Sequence, residues 1–198
     1  MRLLGVEDGS FEPHKFQRRG STVLCMVLME DFYLKRVALR LIEVDGLDAT
    51  EKLLSVARGM LPLTAIILGG ITFAGFNIID PIAVYEEIRV PVIIVTDEKP
   101  DNEAVLNALR KHFTDWKRRY EVFEKLAKVS PIYEAKLNPK EKNPTYIEIV
   151  GMDFQKALEI LRKITIRGRM PEPVRVADKI AKAVSKALLS AQDQRLNV

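Results

Sequence analysis

Acidic residues carry the clearest chemistry in this chain, and they lie far apart in it. Glu7 and Asp8 stand together in "LLGVEDGSF", where a short apolar run stops at two carboxylates and a glycine. Asp48 opens "DATE", Asp80 precedes Pro81, and Asp178 follows Ala177 in "PEPVRVADKIAKA". Carboxylates from separate elements that converge can hold magnesium or manganese, which prefer hard oxygen ligands. One or two such ions activate water and stabilise a leaving oxygen. Neighbours on a strand point to opposite faces, so Glu7 and Asp8 do not easily serve together. Asp8, beside Gly9, is the favoured ligand, and Glu7 is the alternative; both acids ending the strand in solvent is the plain reading. Asp48 and Asp80 also fit as helix caps, the first with Glu51 in a capping-box spacing and the second with proline at the first helical position. Asp178 lies more than one turn inside a helix, beyond the reach of a simple dipole role. Arg175, three residues earlier on the same face, can pair with it or reach a phosphate.

The elements that must bring these acids together read as follows. "LLGVE", "STVLCMVLME" and "LKRVALRLIEVDG" are three strands with short joins, an antiparallel meander. In the third, Val37, Leu39 and Leu41 alternate with Arg36, Ala38 and Arg40. "DATEKLLSVARGM" has helical periodicity. "LTAIILGGI" and "VPVIIVTD" are continuous apolar runs, as in strands buried on both faces, and "DPIAVYEEI" is a helix between them. A helical region from about Asn102 to Lys128 breaks near Thr114. "IYEAKLN" and "YIEIVG" are further strand candidates, and two helices close the chain, the first capped by Asp153. Three antiparallel strands feeding a parallel pair with helices between them is the order of a ribonuclease H-like mixed sheet. No boundary divides the chain, so residues 1–198 read as one domain.

Composition narrows the setting. The 198 residues carry a net charge of +4, which permits a polyanion partner without requiring one. Cys25 is the single cysteine and sits in an apolar run, so no internal disulfide forms and a small buried hydrophobe is its expected role. His14 and His112 lack neighbours at zinc-ligand spacing. Without a signal-peptide core or a membrane-length apolar stretch, a soluble, cytoplasmic protein is expected. In "ILGGITFAGFNIID", Gly69, Gly70 and Gly75 flank Thr72, Phe73 and Phe76. Such a loop lets a ligand approach the backbone, and an aromatic there can stack on a base; a tight loop with buried aromatics reads equally well. Basic residues gather around Arg110, Lys117–Arg119 and Arg162–Arg175, either tracking a nucleic-acid backbone or forming solvated helix faces.

"GVEDGSF", "VDGLDAT", "GGITFAGFNIID", "PVIIVTDEKPD" and "PEPVRVAD", in this order over nearly the whole chain, resemble the archaeal endonuclease dU family, which is similar to endonuclease V. The resemblance implies a ribonuclease H-like fold and metal-dependent hydrolysis of a phosphodiester in DNA that contains a deaminated base, above all deoxyuridine. The endonuclease V strand pattern Gly-Val-Asp falls on Gly5, Val6 and Glu7, with Asp8 one step along. Its Pro-Glu-Pro-x-Arg-x-Ala-His/Asp pattern falls on Pro171, Glu172, Pro173, Arg175, Ala177 and Asp178. Its catalytic glutamate maps loosely onto Asp48. The aspartate after its fourth strand falls near Gly69, so that ligand is missing, with Asp80 or Asp97 as replacements. Asp8, Asp48 and Asp178 are thereby implied in catalysis, and Gly69–Phe76 with Arg175 in holding DNA. A non-catalytic nucleic-acid-binding protein with a degenerate site is the alternative. The oligomeric state is not legible.

Overall fold

The computed structural model describes residues 1–11 and 20–196, with side chains through Ala191; His14 lies outside the described residues. Strands β1 (Arg2–Asp8), β2 (Ser21–Glu30) and β3 (Tyr33–Glu43) form the meander, followed by helix α1 (Ala49–Ala57) and β4 (Ala65–Leu68). A small hairpin, β5 (Thr72–Phe73) and β6 (Asn77–Ile78), precedes α2 (Pro81–Ile88) and β7 (Val92–Thr96). The expected helical break separates α3 (Asn102–His112) from α4 (Trp116–Val129). Strands β8 (Tyr133–Ala135) and β9 (Thr145–Val150) and helices α5 (Phe154–Ile164) and α6 (Glu172–Leu196) complete the chain.

The sheet runs β3-β2-β1-β4-β7-β9-β8. Strands β1, β4 and β7 are parallel, and antiparallel pairs flank them. This is the mixed sheet read from the sequence. Strand β4 and the first four residues of β7 are apolar because helices cover both faces, whereas β1 ends in Glu7 and Asp8. Leu4, Val6, Ile66, Leu68 and Ile94 pack toward α1–α4, whereas Leu3, Ile67, Ile93 and Val95 pack toward α5 and the start of α6. Among the described residues no helix is long and apolar enough to cross a membrane.

Alternation in β3 has an outcome that the sequence does not give. Val37 and Leu39 pair with Val27 and Cys25 and share their face. Ala177 and Ala181 of α6 cover Cys25, Val27 and Met29 but not β3. Leu39 and Leu41 are therefore exposed, Leu41 at 58%, while Ile42 points into the other core layer. Cys25 is fully buried, and burial pushes its thiol up to about 12, which makes it the inert hydrophobe expected.

Candidate active site and adjoining cavity

Helix α6 crosses β1 in unusually close contact. A Cβ on Gly5 would lie 2.2 Å from the Pro173 carbonyl carbon, so only glycine admits the helix here. That approach sets Asp178, about a turn and a half on, beside the last residues of β1. Ser10 adds a tie, its amide donating to Ser185 Oγ at 2.8 Å. The pleat sends Glu7 toward α6 and Asp8 toward the β5–β6 hairpin. Asp8 Oδ2 accepts from the Ala74 amide at 2.5 Å, and Glu7 Oε2 accepts from the Asp8 amide at 3.3 Å.

Electrostatics bind the three acids into one cluster. Burial, then the charges of Asp8 and Asp178, raise Glu7 to about 8. Burial also raises Asp8, against the hydrogen bond from Ala74. Burial opposes the charge of Asp178 too, but hydrogen bonds from Lys182 and Lys179 outweigh it and lower its pKa. Lys182 Nζ stands 2.5 Å from Asp178 Oδ1, and Lys179 Nζ is 3.2 Å from Oδ2. The hydrogen bond to Asp178, then its charge and those of Glu7 and Asp8, hold the Lys182 ammonium protonated against partial burial.

The side chain that is missing at Gly69 has a counterpart from the next strand. A Cβ on Gly69 would lie 1.8 Å from Glu7 Oε1. Glu7 therefore fills the volume that a side chain after β4 would enter. Neither proposed replacement does so. Asp97 pairs with Arg169 at 3.6 Å, and Asp80 caps α2, accepting from the Ile82 and Ala83 amides at 2.9 and 3.0 Å.

Asp48 precedes α1, but its side chain does not cap the helix. Asn77, fully buried, does so instead: its Oδ1 accepts from Ala49 N at 3.0 Å, and its Nδ2 donates to Asp48 Oδ1 at 2.6 Å and to Glu43 O at 2.8 Å. Sequence reasoning missed Asn77, because a capping group 28 positions from its helix has no local signal. Asp48 and Asp80 are thus engaged in structural hydrogen bonds, and the leading charges on Glu7 and Asp8 come from Asp178, Lys182 and, for Glu7, Asp8.

Other expectations are corrected. Phe73 is 1% exposed and Phe76 packs edge-on against Phe113, so neither is free to stack on a base. Arg175 pairs with Glu172, its Nε 3.0 Å from Oε1, rather than with Asp178. Arg119 leaves the basic surface: it is 3% exposed and donates to the carbonyls of Asp45, Gly46 and Phe76 and to Asp115.

The predicted glycine loop borders a cavity of about 270 Å³. Gly69, Gly70 and exposed Thr72 lie along it, with Ile94 and Thr96 from β7, Phe123 from α4 and Glu148 from β9. Burial alone raises Glu148 to about 7. Glu148 carries no local signal, since a lone acid in an alternating strand reads as solvent-facing.

The donor chemistry of Glu7, Asp8 and Asp178 suits a hard divalent cation, for their negative charge is crowded and only partly offset by Lys182. As they stand, no group of three or more His, Cys, Asp or Glu among the described residues is arranged to hold a metal ion. Lys182 and Lys179 pair with the two oxygens of Asp178, so a cation there must displace an ammonium.

Comparison with known proteins agrees with this fold. A UPF0215 protein of Thermococcus gammatolerans is 41% identical over 187 residues, 93% of this chain and 92% of that one. A solved protein of unknown function from Archaeoglobus fulgidus superposes with a TM-score of 0.77 at 30% identity, covering 92% of this chain and 97% of that one. Endonuclease V of Ciona intestinalis, solved with DNA containing an inosine, shares the fold with a TM-score of 0.63 at 13% identity, over 94% and 86% of the two chains. Residues 1–185 match the family described as endonuclease dU, and the chain belongs to that family.

Proposed function

We propose that this protein is a metal-dependent endonuclease that cuts DNA near a deaminated base, deoxyuridine in the first place. The observation that carries the reading is the electrostatic coupling of Glu7 and Asp8 with Asp178 at the carboxyl end of a central parallel strand, the usual location of sites in open sheets. Family membership and the endonuclease V fold support it. In this reading Glu7, Asp8 and Asp178 are the residues that would hold magnesium or manganese, in place of the Lys182 and Lys179 ammoniums now paired with Asp178. The ion would supply an activated water and offset charge on the phosphate. Glu7 takes the part of the carboxylate that endonuclease V, by the resemblance of motifs, carries where this chain has Gly69. Ala74 N fixes Asp8 through its hydrogen bond. A flipped base enters the cavity beside Gly69 and Gly70.

Oligonucleotides containing uracil or hypoxanthine, incubated with and without magnesium, test the reading. Metal-dependent nicking that vanishes in Asp178→Asn supports it. The Lys182–Asp178 pair favours one alternative, a non-catalytic nucleic-acid-binding protein, for which tight binding without nicking is the expected outcome.

A further inference from the structure

We propose that Glu148 is the specificity-determining group of the cavity, binding a displaced nucleobase through adjacent N–H and C=O groups on its edge. The inference rests on the endonuclease reading and adds a recognition residue that the family motifs do not contain.

Size comes first. Cavities for drug-sized ligands run from about 300 to 1,000 Å³. At about 270 Å³ this one suits something smaller, such as one base ring. Its walls suit a flat, weakly hydrated ring: Ile71, Ile94, Val105 and Phe123 supply apolar contact. Position comes second. Gly69 borders the cavity and also makes room for Glu7, so one peptide separates it from the acid cluster.

Glu148 is the decisive feature. It pairs with Ile94 across the β7–β9 ladder and shares the face of Val150, which packs toward α3 and α4. Among the described residues it has no hydrogen-bond or ion-pair partner. Glu148 is half-buried in this recess, which disfavours its anion without closing it off from solvent. Burial raises its pKa to about 7, so a large share of the molecules carries the neutral form near pH 7. A neutral carboxyl presents one O–H donor beside one C=O acceptor. Uracil and hypoxanthine each present an N–H beside a C=O, so two hydrogen bonds close a ring with Glu148. The other titratable groups lining the cavity are Glu98, Lys99 and Asp101; all three are exposed, and Asp101 caps α3.

The test measures binding without cleavage, in EDTA. The probes are single-stranded oligonucleotides bearing one deoxyuridine, one N3-methyldeoxyuridine or one abasic position. The wild type should prefer deoxyuridine to both others by about tenfold, the worth of one to two net hydrogen bonds. Glu148→Leu should lose that preference, whereas Glu148→Gln, neutral with a donor and an acceptor, should keep it within about threefold. A thermal melt shows that each variant is folded. A folded Glu148→Leu that retains the full preference overturns the proposal, as does a wild type that binds the three probes alike. Nicking with magnesium is scored separately. Nicking without the preference sinks only the role of Glu148; the preference without nicking sinks only the endonuclease reading.

Discussion

Two raised carboxyls stand on opposite sides of Gly69, for different reasons. Glu7 is raised by burial and then by its acidic neighbours, and an ammonium lies close by. Glu148 is raised by burial alone, in a largely apolar cavity. Crowded like charges are relieved by a cation, and solitary burial by a proton or a neutral hydrogen-bonding ligand. The same displacement from the ordinary carboxylate value thus marks two different partners.

The comparison is broken most severely at Gly69. Gly69→Ala forces a methyl group into Glu7 Oε1 and should lower nicking about a hundredfold or more, the scale of losing one preorganised polar group at a reacting centre. Uracil binding in EDTA should change far less. Gel assays of nicking and of binding on one preparation check both.

Next in size is the pH response of stability. Glu7 rises from 4.5 to about 8 on folding, so the folded chain holds a proton that the unfolded chain releases between those values. The stabilisation is full below about pH 4.5 and is lost as pH climbs to 8, an effect of about 3 to 5 kcal/mol at most. Glu7→Gln should flatten this slope in thermal melts without metal. Magnesium should favour the wild type at pH 8 and leave the variant nearly unmoved.

A smaller effect of the same sign belongs to Glu148, whose stabilisation fades as pH rises from 4.5 toward 7. Its partial exposure screens the effect to about 2 kcal/mol. Glu148→Leu should therefore be the more stable protein at pH 8 by denaturant titration, even as it loses uracil preference. The smallest effect is at Asn77. Asn77→Ala removes the α1 cap and two further hydrogen bonds and should cost about 1 to 2 kcal/mol. Both carboxyls should keep their pH responses.

How much of this was legible depends on how local each signal was. The meander, the apolar parallel strands and the break before Trp116 follow from periodicity and appear as read. Asp178 was identified from its motif. Glu7 stands out as an alternative ligand, but its filling of the space beside Gly69 does not, because an absent side chain there acquires meaning only once β1 and β4 are neighbours. Glu148 was hidden for a similar reason: α3 and α4 cover a strand face that its alternation suggests is wet. Arg119 misled because a run of charges resembles a solvated face until three carbonyls and Asp115 enclose one member.

That guanidinium has a mechanical consequence. By gripping the carbonyls of Asp45, Gly46 and Phe76, Arg119 staples α4 to the two turns that bracket Ala74, whose own carbonyl takes the Asp45 amide at 2.8 Å. Ala74 in turn holds Asp8. Helix α4, which walls the cavity through Phe123, is therefore joined by a short chain of hydrogen bonds to the carboxylate at the end of β1. If the endonuclease reading holds, a guest pressing on the helix would be felt at Asp8 through three hydrogen-bonded steps.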